Sequence, residues 1–85
     1  MSIKFLYFAW VREQTGISEE SIVLPEEIAT VADLIKWQRE RGPEFETVFE
    51  KDDVIRVAID QIHASHDTQL AGAREIAFFP PVTGG

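Results

Sequence analysis

The hydrophobic and polar positions at the start of the chain predict a strand followed by a turn. Between residues 3 and 10 every side chain except Lys4 is apolar, and aromatic and branched residues dominate. A run that is apolar on both faces is typical of a central strand. Residues 11–15 then predict a helical turn that stops at Gly16.

Two helices are predicted in the middle of the chain. Thr30 can cap the first, and Asp33 three residues later completes a variant of the capping box. One face of this helix carries the side chains expected to be buried, namely Val31, Leu34, Ile35 and Gln38. Gly42 and Pro43 end it, and Pro43 suits the first turn of a shorter helix. The inward side chains of that second helix are Phe45, Val48 and Phe49.

The remaining strands are predicted from shorter patterns. Residues 18–24 predict an exposed strand that Pro25 ends, and residues 55–60 alternate between apolar and polar side chains. Residues 61–70 are polar and predict a short strand and a loop, and residues 74–79 predict the last strand. This order is typical of an α+β fold, with a mixed sheet covered on one side by one main helix.

The composition excludes several classes of function. There is no cysteine, which excludes a disulfide framework, a zinc site built on thiolates and a catalytic thiol. The formal net charge of −7 argues against nucleic acid and suits docking on basic partners. No apolar run is long enough to span a bilayer, and residues 1–11 lack a cleavage site for a signal peptide. We therefore expect a cytoplasmic protein.

Side chains suited to catalysis or metal binding are sparse. His63 and His66 have only Asp60 and Asp67 nearby, which makes a poor metal set without cysteine, so we predict no metal site. We interpret these residues as surface polar residues. No glycine-rich phosphate loop, hydrolase elbow or catalytic triad spacing is present. The chain offers no catalytic side chains of its own.

The end of the chain changes character abruptly, which predicts a domain over residues 1–79 and a tail over residues 80–85. Pro80 and Pro81 lack N–H groups and fix φ, so they end the sheet ladder and keep the chain extended. The final Gly84 and Gly85 have no Cβ and can thread a channel too narrow for other residues. From Pro80 the tail can reach about 20 Å.

The alternation of the last strand predicts which side chains face the core. Ile76 and Phe78 share one face and are expected in the core, whereas Phe79 lies on the other face beside the tail. On the first strand Phe8 also points away from the core set. If the two strands are neighbours, Phe8 and Phe79 form an exposed apolar patch suited to docking. The alternative is that the fold itself covers both faces of the sheet.

Three segments carry a resemblance to a known family: FFPPVTGG at residues 78–85, IKFLYFAWVRE at residues 3–13 and RVAIDQ at residues 56–61. The chain resembles the small subunit of molybdopterin synthase over essentially its whole length, and the terminal octapeptide is the most specific part. The resemblance implies a β-grasp fold, as in ubiquitin. It also implies that an E1-like enzyme uses ATP to adenylate the carboxylate of Gly85, which a sulfur donor then converts to a thiocarboxylate.

The resemblance further implies a partner. The tail is expected to enter the large subunit of molybdopterin synthase, in a heterotetramer, with the tunnel lined by Pro81, Val82, Thr83 and Gly84. There sulfur passes to a cyclic pterin monophosphate, and no cofactor is bound by this chain itself. Phe8 and Phe79 are implied as docking residues.

The chain departs from the family at a few positions, and other functions stay open. Asp60 stands where the family often has Asn, His63 stands at an interface position that is often apolar, and Trp10 is unusually bulky. The alternatives are a sulfur carrier for thiamine or tRNA thiolation, a ubiquitin-like modifier joined to lysines through Gly85, and a plain binding module with an incidental tail.

Overall fold

The computed structural model describes residues 2–51 and 53–81. The elements follow in the order β1 (Ile3–Tyr7), α1 (Ala9–Thr15), β2 (Glu19–Ile22), α2 (Val31–Arg39), α3 (Pro43–Phe49), β3 (Arg56–Ile59), β4 (Ile62–Ala64) and β5 (Glu75–Phe79). The predicted α+β order is confirmed. The two predicted helices begin where their caps indicate, and β4 is the short strand expected after β3.

The strands form one five-stranded sheet in the order β2-β1-β5-β3-β4. The central strands β1 and β5 are parallel, with Tyr7 opposite Phe78, and every other pair is antiparallel. The sheet is therefore mixed, as predicted, and β1 is central with β2 as its exposed edge neighbour. All three helices contribute buried side chains to the same core as the sheet, among them Val11, Leu34 and Phe49. This is the β-grasp arrangement.

Phe78 lies at the centre of the core. Its ring contacts Phe5, Tyr7 and Phe49 with centroid separations of 5.4, 5.3 and 5.3 Å. Ile76 and Phe78 are both fully buried, as predicted for the core face of the last strand, and Ala77 between them on the other face is buried as well. Helix α2 covers this cluster with the four residues predicted to face inward, and all four are buried.

Helix α2 begins at the capping box predicted from the sequence. The Asp33 backbone N–H donates to the Thr30 hydroxyl, and the Asp33 carboxylate accepts from the backbone N–H groups of Ala29 and Thr30. Those backbone hydrogen bonds, with that from Ala29 first, lower the pKa of the Asp33 carboxyl. The cap therefore fixes the start of the main helix over the sheet.

The first strand is shorter than predicted, because the chain turns into α1 directly after Phe8. Phe8 is still extended, with φ −125° and ψ 154°, and its carbonyl accepts from the Val11 N–H at 3.1 Å. Ala9 follows with φ 53°, a left-handed value that ends the extended conformation. Trp10 is consequently on a helix and not on the strand. Gly16 closes α1 with φ 77°, as its position predicted.

A polar network beneath the edge strand β2 joins the sheet to the helices. The Tyr7 hydroxyl donates to the Glu20 carboxylate at 2.5 Å, and Arg41 donates to both oxygens of the same carboxylate at 2.7 and 2.9 Å. The Gln38 amide donates to the Tyr7 oxygen at 2.9 Å. The hydrogen bonds from Arg41 lower the pKa of Glu20, whereas burial and the bond to Glu20 raise the pKa of Tyr7. This network explains why the polar Gln38 is fully buried.

Candidate docking face and tail exit

One face of the sheet lies opposite the helices, and the strand register decides which side chains occupy it. Leu6 on β1 pairs with Ala77 on β5. Ala77 pairs with Ala58 on β3, which in turn pairs with His63 on β4. These side chains lie next to one another across four strands. Phe8 and Phe79 lie on the same face, two residues after Leu6 and Ala77. We call these six side chains the open-face patch.

Phe8 and Phe79 lie at the same end of the two central strands. The Phe8 N–H donates to the carbonyl of Phe78 at 3.1 Å. The parallel pairing with β5 therefore continues to Phe8, one residue past the end of β1. Phe8 is 47% exposed and Phe79 is half-buried. The predicted positions of both residues are thus found, away from the core face that Phe78 fills. Whether they contact a partner stays a prediction.

His63 is the member of the open-face patch that sequence reasoning interpreted as a surface polar residue. Its ring contacts Phe79 with a centroid separation of 5.3 Å and an interplanar angle of 72°. The two residues are on strands separated by β3, where His63 pairs with Ala58 and Phe79 pairs with Arg56, so the rings meet diagonally across that strand. The apolar residues on either side of His63, Ile62 and Ala64, are a sequence signal for a short strand, but no local signal indicates the contact with Phe79.

The tail leaves the sheet beside this patch. Strand β5 ends at Phe79, and Pro80 and Pro81 follow it, both half-buried. Because β5 lies between β1 and β3, the chain emerges between the ends of those two strands. The residues expected to react or to line a tunnel beyond Pro81, namely Val82, Thr83, Gly84 and Gly85, lie outside the described residues.

Trp10 has a different place from the one expected on a strand. It lines a groove with Gln14 of α1, Thr47 of α3 and two residues that precede β3, Lys51 and Val54. Its ring is half-buried and packs against the core. Trp10 therefore lies on the helical side of the domain and is not part of the open-face patch.

Asp60 lies in the turn between β3 and β4, at the opposite end of the sheet from the tail. Asp60 and Gln61 have φ values of 49° and 71°, as in the tight turns of two-residue hairpins. The Asp60 carboxylate accepts from the backbone N–H groups of Arg74 and Glu75 at 3.1 and 3.0 Å. Asp60 thus holds the start of β5 in place. An asparagine at this position could accept the same two hydrogen bonds through its amide oxygen.

No metal centre or membrane segment is found in the part of the chain that the structure describes. Within residues 2–51 and 53–81, no three histidine or acidic side chains are grouped as metal ligands. His63 is on the sheet, whereas His66 is in the loop that follows β4 and offers its carbonyl to the Ala32 N–H. No helix among these residues is long and apolar enough to cross a membrane.

Comparisons with known proteins agree with this fold and extend over the whole chain. The molybdopterin synthase sulfur carrier subunits of Haemophilus influenzae and Escherichia coli are 34% and 35% identical to it, over 98% of this chain and 99% of each relative. Among solved structures, SAMP1 from Haloferax volcanii matches with a TM-score of 0.74 and 30% identity, with full coverage of both chains. A Pyrococcus furiosus protein named after subunit 1 of a molybdopterin converting factor matches with a TM-score of 0.67 and 30% identity, over 96% of this chain and 99% of its own.

The family assignment rests on a match that includes the open-face patch, the tail exit and the glycine terminus. The sequence profile of the ThiS family matches residues 5–85. Residues 1–4, which include the first two residues of β1, precede that range. The chain therefore belongs to the ThiS family.

Proposed function

We propose that this chain is the sulfur-carrier subunit of molybdopterin synthase, and that it works in the cytoplasm. The observation that carries the proposal is its match, from end to end, with two relatives that bear this name. The terminal sequence FFPPVTGG supports it, because it joins a strand end, a proline stem and a glycine terminus. The β-grasp fold supports it as well, since it directs the end of β5 out of the domain.

The reacting group in this proposal is the carboxylate of Gly85. A carboxylate is a poor acyl donor until one of its oxygens becomes a good leaving group. An E1-like enzyme supplies this by joining the carboxylate to AMP from ATP, with release of pyrophosphate. A sulfur donor then displaces AMP and leaves a thiocarboxylate, whose ionised sulfur is a nucleophile without an adjacent base. The chain needs no cysteine for this chemistry, and it has none.

The partner in the final step is the large subunit of molybdopterin synthase. In this proposal the open-face patch docks on it through Phe8 and Phe79, and the tail enters its active site with Pro81, Val82, Thr83 and Gly84 lining the tunnel. The thiocarboxylate sulfur then forms a bond to carbon of the cyclic pterin monophosphate, and water hydrolyses the bond between that sulfur and the Gly85 acyl carbon, which returns the carboxylate. Each dithiolene needs two sulfur atoms and each carrier holds one, so we expect a heterotetramer with two copies of this chain.

The proposal is tested by following the sulfur. Incubation with ATP, the activating enzyme and a sulfur source should replace one oxygen of the chain by sulfur, and fragmentation in a mass spectrometer should place that sulfur on Gly85. Addition of the large subunit and the cyclic pterin monophosphate should then yield molybdopterin. A chain without Gly85, or with one residue added after it, should fold normally and transfer no sulfur.

Three results would contradict the proposal. Sulfur on another residue would exclude a terminal thiocarboxylate. Isopeptide adducts between Gly85 and lysines in cell extract, without free thiocarboxylate, would favour a ubiquitin-like modifier. A loaded carrier that gives no molybdopterin, but restores thiamine or tRNA thiolation, would assign the chain to another sulfur pathway.

A further inference from the structure

The open-face patch contains a polar side chain, His63, in contact with Phe79, and a partner that covers the patch must accommodate it. His63 is exposed, and its ring rests edge-to-face against Phe79. Among residues 2–51 and 53–81, the imidazole nitrogens of His63 have no hydrogen-bond partner and no carboxylate within 4.0 Å. Because the two rings are in contact, a partner that covers Phe79 must cover His63 too.

Covering an imidazole without a hydrogen bond is costly. A buried donor left without an acceptor loses its water and gains nothing in return, a penalty comparable with the gain from a good apolar contact. The contact with Phe79 holds the His63 ring toward β5 across β3, so turning the ring away from the interface would break that contact. An acceptor on the partner is the arrangement that removes the penalty.

The charges around the patch favour a carboxylate as that acceptor. Arg56 pairs with Phe79 in the register and is exposed, so it adds a positive charge at the same end of the sheet as His63. The Arg56 guanidinium donates to the carbonyl of Asp53. Asp60 is as close to Ala58 along the chain as Arg56 is, but its carboxylate is turned to the backbone N–H groups of Arg74 and Glu75. The other charged groups on this face lie farther from His63, on the strands β2, β1 and β5, and they are Lys4, Glu19 and Glu75. Lys4 and Glu19 are 3.9 Å apart and pair with each other.

We propose that the partner which docks on the open-face patch presents a carboxylate to the His63 imidazole, which makes His63 a residue that determines partner specificity. The inference rests on the proposed function, because it takes the large subunit of molybdopterin synthase as the occupant of the patch. It runs against the formal net charge of −7, which by itself favours basic partners. One carboxylate placed against His63 and Arg56 is locally complementary, and a partner shaped for an apolar side chain at this position is rejected.

The test is calorimetric titration of this chain with the large subunit from the same organism. His63→Leu places an apolar side chain of similar size there and removes the donor, so binding should weaken by about 10- to 100-fold, the range for a hydrogen bond to a charged group. His63→Gln keeps an N–H donor and should recover part of that loss. The matched control is His66→Leu, the same change at the other histidine, in the loop after β4, which should bind as the wild type does.

A second readout separates a polar role from a packing role. A carboxylate partner favours the protonated imidazole. Titrations at neutral pH, in buffers with different ionisation enthalpies, should therefore show net proton uptake on binding. The uptake should persist in His66→Leu and vanish in His63→Leu. Equal or tighter binding by His63→Leu, with unchanged proton uptake, would overturn the inference.

A third variant, Phe79→Asp, separates failure of the His63 inference from failure of the proposed docking. Phe79→Asp places a charge in the apolar part of the patch and should abolish binding if this face docks at all. Loss of binding in Phe79→Asp together with wild-type binding in His63→Leu would refute the role of His63 alone. Wild-type binding by Phe79→Asp would refute docking through this face, and with it both proposals about the patch.

Discussion

Two adjacent phenylalanines should respond in opposite ways to the same substitution. Phe78 is fully buried and contacts three aromatic rings, whereas Phe79 is half-buried on the opposite face of the sheet. Truncation of a core phenylalanine to alanine costs about 3–5 kcal/mol. A domain of this size has a total stability of about 4–13 kcal/mol. Phe78→Ala should therefore remove a large part of the stability, while Phe79→Ala should cost about 1 kcal/mol or less, mainly its contact with His63.

The assay is urea unfolding of the two variants and the wild type, followed by tryptophan fluorescence. Trp37 is a suitable reporter because its ring lies 6.4 Å from that of Phe5 in the core. Midpoints from differential scanning calorimetry give an independent ranking. The reasoning is refuted if the two alanine variants lose the same free energy of unfolding, since the alternation of β5 would then not separate core from surface. Affinity for the partner should follow the opposite order: among variants that still fold, Phe79→Ala should bind more weakly than Phe78→Ala.

The remaining predictions concern the polar network and the turn after β1. Glu20 has a lowered pKa in the folded protein, so its contribution to stability is present above the ordinary glutamate pKa of about 4.3 and is lost as pH falls through the lower folded value. Glu20→Gln should therefore be less stable than the wild type at pH 7, and chemical unfolding at several pH values should show the difference shrinking below pH of about 4. Ala9→Gly should leave stability unchanged or raise it by about 0.5 kcal/mol, because φ of 53° suits glycine. Ala32→Gly, at an exposed alanine in the first turn of α2, is the matched control and should lose up to about 1 kcal/mol by the same measurement.

Local signals in the sequence were sufficient for the helices and for the faces of the last strand. The capping box at Thr30 and the buried face that includes Gln38 could be predicted because residues three or four apart in the sequence lie side by side on a helix. Ile76 and Phe78 were placed in the core by alternation alone. The end of β1 was predicted too late, because the apolar run continues through Trp10 while the backbone turns at Ala9. Nothing in the residue types there distinguishes a buried strand from the start of a short helix.

The candidate site was predictable in part, because half of it depends on which strands are neighbours. Phe8 and Phe79 were singled out from the alternation of two strands and from the family resemblance. The contact between His63 and Phe79 crosses β3, and no local pattern reports a contact between strands that are two positions apart in the sheet. The rings meet diagonally across the positions of Ala58 and Arg56 on β3, and this arrangement is visible only once the register is known.

The parallel pairing of β1 with β5 also governs when this domain can fold. Lys4 pairs with Glu75, so the two central strands come from segments about 70 residues apart, and such non-local pairing slows folding. Phe78, the hub of the core, belongs to the strand that is synthesised last. A nascent chain that has not yet released β5 lacks both the central pair of the sheet and the centre of its aromatic cluster. Folding is thus delayed until translation has passed β5, and a chain that lacks this strand presents no folded domain to any partner.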